Sequence, residues 1–388
     1  MRLRIATAGL IAAYLGLALS CGAQDAVGPR VVDLTAADGT VLKASFFTSA
    51  KPGPGVILLH QCNRQRKVWD GLAGSLAAAG ISVITLDFRG FGDSGGTALD
   101  KLTPEKAGRD MEEVWPGDVD LALHYLESQK GVNHDLIGVG GASCGVNQAV
   151  QLARRHAEVK SLALLSEGTD REGRAFLRKS PGLPLFLAAA DDDEDLGVVD
   201  VMEWLRDLSP DPANVFVHYA TGGHGVVMFE SHKELPGKIV EWFETTLIKT
   251  PGSAPATRKA GSMSAESRFL EMTDEPGGVS KAVNFFNDEW KRDPMSAAIP
   301  EVMINRIGYE HLQEGDTKGA IEILKLNVVA FPNSPNAYDS LGDAYLADGR
   351  KDLAREDAKK TLELLATDTV DSQTRRDGIR VNAELKLK

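Results

Sequence analysis

The chain has 388 residues, of which 43% are hydrophobic and 25% are charged. This composition is ordinary for a globular protein, and the length predicts about two domains. A formal net charge of −12 disfavours binding to polyanions, because phosphate recognition needs clustered Lys and Arg side chains. Nucleic acid is therefore excluded as an expected partner.

The first residues have the layout of an export signal. Two arginines occur within residues 1–4, residues 5–19 are mostly apolar, and small residues follow up to Ala23. The apolar run is shorter than the about 20 residues that a membrane-spanning helix needs. We therefore expect residues 1–23 to be a signal peptide and the protein to be exported, either periplasmic or secreted. The segment ending at Cys21 also resembles a bacterial lipobox, so a lipid anchor on Cys21 stays open, and a membrane is an expected partner only in that case.

The next region, residues 24–248, alternates short β-branched runs with longer amphipathic stretches. Strands interleaved with helices predict an α/β fold with a doubly wound, mostly parallel sheet that helices cover on both faces. Eight runs have the composition of strands, and they lie at residues 31–34, 41–47, 55–60, 81–87, 136–140, 159–165, 185–190 and 215–219.

A short motif joins the fifth predicted strand to the helix that follows it. Residues 141–145 have the sequence Gly-Ala-Ser-Cys-Gly, the G-x-S-x-G pattern in which glycines permit a sharp strand-to-helix turn. Such a turn exposes the hydroxyl group of Ser143 at the edge of the sheet, beside a helix N-terminus. Because the pattern has this strand-turn-helix context, Ser143 is the candidate nucleophile.

Two further positions complete a candidate catalytic triad. His224 lies in a glycine-rich segment after the eighth predicted strand and is the candidate general base for Ser143. The third member must orient the imidazole and stabilise its charge, and Asp191, Asp192 and Asp193 follow the seventh predicted strand. In the hydrolases that this arrangement resembles, the acid commonly stands about three residues past the small residue that closes the strand, which implies Asp193, with Asp192 as the alternative.

Acyl transfer also needs N–H donors for the negative charge that develops on the carbonyl oxygen. One donor is expected from Cys144, the residue after the nucleophile, and the other from Gln61 or Cys62 in the loop after the third strand. The two cysteines would then flank one site, and an exported chain meets oxidising conditions. A disulfide between Cys62 and Cys144 is the resulting hypothesis, and two free thiols are the alternative.

Three segments together resemble a known family. They are residues 58–63, residues 86–94 and the serine motif at residues 141–145. Across residues 31–248 the chain resembles bacterial α/β-hydrolases of the dienelactone-hydrolase-like and esterase type. This resemblance implies the α/β-hydrolase fold and agrees with the chain order Ser, Asp, His.

The same resemblance implies structural roles for Asp87 and Arg89, which lie where the family joins a strand to a helix. The chain departs from the family at Gln61, where many relatives have glycine. It departs again at Ser143, where the dienelactone hydrolases proper have cysteine. The substrate is therefore not transferred from the family.

The surroundings of the candidate site indicate modest substrates. Residues 167–183 separate the sixth and seventh predicted strands, which leaves little room for a large cap domain, and we expect a shallow, open site. Specificity could come from Arg64, Arg66 or residues 171–178, although plain surface charge is the simpler interpretation of each.

The organisation changes after residue 248. Residues 249–264 are rich in Pro, Gly, Ser and Ala, which indicates a linker. In residues 265–388, a pattern of two glycines and an alanine starting at Gly308 recurs 34 residues later, starting at Gly342. A period of 34 resembles the tetratricopeptide (TPR) repeat, so we expect an all-α TPR-like domain. The resemblance implies a role in protein interaction or assembly.

The leading interpretation is an exported serine hydrolase that cleaves a carboxylic ester of a small-molecule acyl substrate through an acyl-enzyme. Ser143 attacks the carbonyl, His224 transfers the proton and Asp193 orients His224. This chemistry requires no cofactor and no metal. The same residues hydrolyse amides and thioesters, so a peptidase or thioesterase is the nearest alternative. A non-catalytic exported scaffold acting through the TPR-like repeats is the other.

Overall fold

The structure is a computed structural model that describes residues 28–257, 263–292 and 299–388. The predicted signal peptide and the lipid anchor at Cys21 lie outside the described residues. Within the described part of the chain, no helix has the length and apolar character needed to span a bilayer.

One eight-stranded sheet organises the first part of the chain. Its strands are β1 (Arg30–Thr35), β2 (Val41–Phe47), β3 (Gly53–Leu59), β4 (Ser82–Leu86), β5 (Val132–Ala142), β6 (Val159–Leu165), β7 (Leu185–Ala190) and β8 (Val215–Tyr219). The spatial order is β1-β2-β4-β3-β5-β6-β7-β8. β2 is antiparallel to both of its neighbours, and every other pair is parallel. The predicted fold class is thereby confirmed: this is an α/β-hydrolase sheet.

The central strands are apolar on both faces because helices cover both faces. β4 and β7 are buried along their whole length, whereas the edge strand β1 is largely exposed. Buried parallel strands of this kind have continuous apolar sequences, which explains why they were predicted. β5 begins at Val132, before its predicted start at residue 136. The prediction missed this first part of the strand because residues 133–135 are polar and exposed.

Helices connect the strands and build one hydrophobic cluster on each face of the sheet. They are α1 (Asp70–Ala78), α2 (Pro104–Arg109), α3 (Trp115–Glu127), α4 (Cys144–Arg155), α5 (Arg171–Leu177), α6 (Val198–Leu208), α7 (Met228–Ser231) and α8 (Leu235–Phe243). Residues of α3, α4 and α6 contribute to one cluster, and residues of α1 and α8 contribute to the other. Strands and helices up to residue 249 are called the α/β domain below.

A second group of helices follows and is called the helical module. It consists of α9 (Ala265–Asp274), α10 (Val279–Arg292), α11 (Glu301–Gln313), α12 (Thr317–Ala330), α13 (Pro335–Ala347), α14 (Lys351–Leu365) and α15 (Gln373–Lys386). Gly308 and Gly342 occupy the same position in α11 and α13. A Cβ on Gly308 would lie 2.5 Å from the Leu324 side chain of α12, so the glycine allows α11 and α12 to pack closely. The TPR assignment stays a prediction.

The helical module packs against the α/β domain. Helix α9 contacts α6, and the buried side chains of Phe269, Leu270 and Ile304 belong to the same hydrophobic cluster as the core of the α/β domain. At Gly197, just before α6, a Cβ would lie 2.9 Å from Val302 of α11. The two parts of the chain therefore share a continuous apolar core.

Ion pairs from α5 and the residue after it also join the two parts. Arg174 is only 3% exposed, and its guanidinium contacts Asp274 and Glu310 at 2.8 Å each. Arg178 pairs with Glu271 at 2.6 Å. The expectation that residues 171–178 carry plain surface charge is wrong for Arg174, because partners far along the chain bury it.

Candidate active site

The candidate nucleophile Ser143 lies at a tight turn between β5 and α4. Its φ of 50° and ψ of −127° place it in a region that non-glycine residues rarely occupy, a strain that is typical of functional positions. The Ser143 N–H donates to the Leu165 carbonyl at 2.9 Å, which ties the turn to β6. Gly145 is required by close packing, because a Cβ there would lie 2.5 Å from the Leu59 carbonyl oxygen.

His224 and Asp193 form a hydrogen-bonded pair at the ends of β8 and β7. The distance from His224 Nδ1 to Asp193 Oδ1 is 2.7 Å, and the two side chains are 10% and 1% exposed. Because a carboxylate only accepts, Nδ1 carries the proton, and Nε2 of the neutral ring is left as the proton acceptor.

Electrostatics near the imidazole favour its protonated form. Burial lowers the pKa of His224, but the hydrogen bond to Asp193 and the negative charges of Asp193, Glu194 and Asp195 raise it. The net result is a pKa above the usual value of 6.5. A base with this pKa is well placed to take up a proton near neutral pH.

The three consecutive aspartates after β7 have different partners. Asp191 pairs with His218 at the surface, at 2.6 Å. Asp192 Oδ1 accepts the backbone N–H groups just before His224, at 2.7 and 2.8 Å, so it holds the histidine loop rather than the ring. Of the two acids that the sequence left open, Asp193 is the one that contacts the imidazole.

The loop after β3 meets the histidine loop and the serine turn at one place. Gln61 Oε1 accepts the N–H of Val226 at 2.9 Å. A Cβ on Gly225 would contact this same oxygen and would lie 3.4 Å from Cβ of Ala142. The neighbours of Ser143 and His224 are therefore packed against each other, at the edge where the parallel strands end. The buried side chain of Gln61 thus supports the histidine loop.

A disulfide joins Cys62 to Cys144, with the Cα atoms 5.8 Å apart. It links the loop after β3 to the first residue of α4. At that first position the Cys144 N–H has no acceptor within the helix, so it is free to donate to a ligand. The bond therefore connects the two loops that hold the candidate oxyanion donors, Cys144 on one side and Gln61 or Cys62 on the other.

Arg66 is part of the structural support of the loop after β3. It is 1% exposed, and its guanidinium contacts Asp87 and, at 2.9 Å, Asp93. The expectation that Arg66 carries surface charge is therefore wrong, because Asp87 after β4 neutralises it inside the fold. Arg64, in contrast, is exposed. The guanidinium of Arg89, the other residue for which a structural role was implied, binds Asp118 at 2.7 and 2.8 Å.

Two cavities lie in the surroundings of the candidate site residues. One of about 800 Å³ lies beside the disulfide and is lined by Cys62, Phe91 and Leu99 among others. The other, of about 710 Å³, lies between the α/β domain and the helical module, where Glu167 and Arg306 contribute to its wall. Among the described residues that line these cavities, none is Ser143, Asp193 or His224, and the expectation of a shallow, open site stays a prediction.

No protein-family model matches the chain. The chain is 27% identical over 145 residues to thiohydrolase aneE of Aspergillus aculeatus, which covers 36% of this chain and 43% of that protein. It is also 27% identical over 134 residues to an uncharacterized 31.7 kDa protein of the traX-finO intergenic region of Escherichia coli, covering 34% and 44%. The chain spans less than half the length of these curated relatives.

Solved structures similar to the chain include esterases and other hydrolases. The Pyrococcus furiosus esterase Pf2001 is 19% identical, with a TM-score of 0.43 over 57% of this chain and 93% of the esterase. The 2,6-dihydroxy-pseudo-oxynicotine hydrolase is 15% identical, with a TM-score of 0.46 over 61% and 72%.

Proposed function

We propose that the protein is an exported serine hydrolase that cleaves a carboxylic ester through an acyl-enzyme. The observation that supports this most directly is the His224–Asp193 pair, because Gly225, which follows His224, packs against Ala142, which precedes the strained Ser143. A serine hydroxyl becomes a useful nucleophile only when a neighbouring base accepts its proton.

The proposed reaction has two halves. Ser143 Oγ attacks the ester carbonyl while Nε2 of His224 takes the hydroxyl proton, and Asp193 stabilises the imidazolium through Nδ1. The N–H groups of Cys144 and of Gln61 or Cys62 bind the oxyanion. The intermediate collapses, and the alcohol leaves with the proton from His224. Water, deprotonated by His224, then attacks the acyl-enzyme and releases the acid and free Ser143.

Hydrolysis of a thioester is the second candidate function. The specific observation in its favour is the similarity to a protein named as a thiohydrolase, over 36% of this chain. The proposed machinery suits either substrate, because the leaving atom changes from oxygen to sulfur while the attack and the oxyanion stay the same.

The test compares p-nitrophenyl esters with acyl thioesters of matched chain length and adds labelling with a fluorophosphonate probe. The variant is Ser143→Ala, and Ser166→Ala is the control because Ser166 is the other described serine with a positive φ, 54°, and follows the neighbouring strand β6. We expect turnover and labelling to be lost in Ser143→Ala and kept in Ser166→Ala. Labelling with no turnover of either substrate class redirects the proposal to amides, and an unlabelled folded protein favours the scaffold.

Export is part of this proposal and has its own test. The intact mass of the protein recovered from the periplasm, the medium and the membrane fraction distinguishes cleavage after Ala23 from acylation at Cys21. Retention of the full chain in the cytoplasm would contradict export.

A further inference from the structure

An arginine of the helical module contacts the loop that carries the candidate triad acid. Arg306 lies on α11, and its guanidinium binds Asp195 at 2.8 Å and Glu167 at 2.9 Å. Glu167 follows β6, and Asp195 lies two residues after Asp193. One side chain of the module therefore contacts two of the loops at the edge of the sheet where Ser143 lies.

A continuous series of hydrogen bonds leads from this arginine to the imidazole. The backbone N–H of Asp195 donates to Asp193 Oδ1 at 2.8 Å. The same oxygen accepts from Nδ1 of His224 at 2.7 Å. Any shift of Asp195 is thus passed to the carboxylate oxygen that orients the ring.

The loop between β7 and α6 has contacts outside the α/β domain as well as inside it. Apart from Asp193, its residues are exposed or half-buried. Its end at Gly197 is packed against Val302, one turn before Arg306 on α11. Helix α11 therefore contacts this loop both through packing and through charge.

We propose that Arg306 is a positioning residue for Asp193, so that the helical module is a required part of the catalytic unit. This inference rests on the proposed function of the α/β domain. It assigns to the module an intramolecular role, in addition to any external partner of the predicted repeats.

The charges around Arg306 give the proposal a measurable signature. Burial lowers the pKa of Arg306, but the charges of Glu167, Asp195 and Glu310 raise it above the usual range, so the guanidinium stays charged. Asp195 also raises the pKa of His224. Removing the guanidinium leaves the negative charge of Asp195 without its partner, and the pKa of His224 should rise. The charged groups near these two side chains include Glu167, Asp193, Glu194, Asp195 and Glu310, and Arg375, which lines a further cavity together with Asp195 and Arg306.

The test compares Arg306→Met with Arg178→Met in the full mature chain. The control is matched, because Arg178 also joins the two parts through ion pairs and its side chain is 25% exposed against 24% for Arg306. Its partners lie on α9 and do not touch the β7–α6 loop. The measurements are kcat and KM for a p-nitrophenyl ester across pH, thermal unfolding, and an NMR titration of His224.

We expect Arg306→Met to lower kcat by about 10- to 100-fold with little change in KM, the range that a small misplacement of a catalytic group costs. The acid limb of kcat/KM and the His224 titration should both move to higher pH. Arg306→Lys should recover part of the rate, and Arg178→Met should keep the wild-type rate and pH profile. A rise in KM alone would instead indicate a substrate contact and overturn the positioning role.

Equal behaviour of Arg306→Met and Arg178→Met would overturn the inference. If Arg306→Met does not fold, Asp195→Asn tests the same series from the α/β domain and should move the His224 titration to lower pH; an unmoved titration overturns the inference. A wild-type protein that hydrolyses nothing would contradict the proposed function, while the His224 titration still decides whether Arg306 acts on the imidazole.

Discussion

Reduction of the disulfide between Cys62 and Cys144 should cost the protein a large share of its stability. The bond closes a loop with a sequence separation of 82 residues. On the chain-entropy model, a cross-link of this length restricts the unfolded chain enough to stabilise the folded state by about 4.5 kcal/mol at 25 °C. Because the m-value grows with chain size and reaches about 3 kcal/mol per M already in small proteins, the urea midpoint should fall by up to about 1.5 M on reduction.

The assay is urea unfolding followed by tryptophan fluorescence, with and without dithiothreitol, on the mature chain. The double variant Cys62→Ser with Cys144→Ser is the control. Its urea midpoint should match that of the reduced protein and should not change when dithiothreitol is added. Two titratable thiols in the untreated mature protein would show that the bond does not form. Equal midpoints of the oxidised and reduced forms would refute the loop-closure argument.

Three further predictions concern the candidate triad and Gln61, which supports the histidine loop. Asp193→Asn should lower kcat on the order of 10³- to 10⁴-fold, because the imidazole loses its charged acceptor. Asp192→Asn should lower kcat less, because the hydrogen bonds described for Asp192 go to backbone N–H groups. Steady-state kinetics of both variants checks which of the two lowers kcat more. Only neutral His224 acts as the base, and its pKa lies above 6.5. The value of kcat/KM should therefore fall as the pH drops through that raised pKa. A kcat/KM that stays constant from pH 5 to 8 would contradict the assignment of His224 as the base. Gln61→Leu should leave the Val226 N–H without a partner and lower the free energy of unfolding by about 1–3 kcal/mol, and Gln61→Glu, which keeps an acceptor, should lose less in the same urea assay.

The sequence predicted the sheet well because its signals are local. A buried parallel strand such as β7 is apolar at every position, and the strand-turn-helix context of Ser143 is contained in a few neighbouring residues. The candidate triad positions were found in the same way, each just after a predicted strand. Local pattern also explains the error at β5, where polar residues after Val132 hid the start of the strand.

What the sequence could not provide are contacts between distant parts of the chain. Arginine is usually a surface residue, so the sequence predicts exposure for Arg66 and Arg174. Only their ion-pair partners in the folded structure explain why both are buried. The pair between Arg306 and Asp195 joins residues 111 positions apart, and no periodicity marks it. A single sequence therefore identified the candidate chemical groups but not the module that contacts their loop.

The shared apolar core has a consequence for how the chain comes apart. Phe269 of α9 and Trp204 of α6 lie in one buried cluster, and the Trp204 ring also donates to Glu271 at 2.9 Å. Separating the helical module would expose this apolar surface to water, at a cost of about 25 cal/mol for each Å². The predicted linker at residues 249–264 therefore does not separate two independently unfolding domains. Heat or denaturant should unfold the α/β domain and the helical module in one transition.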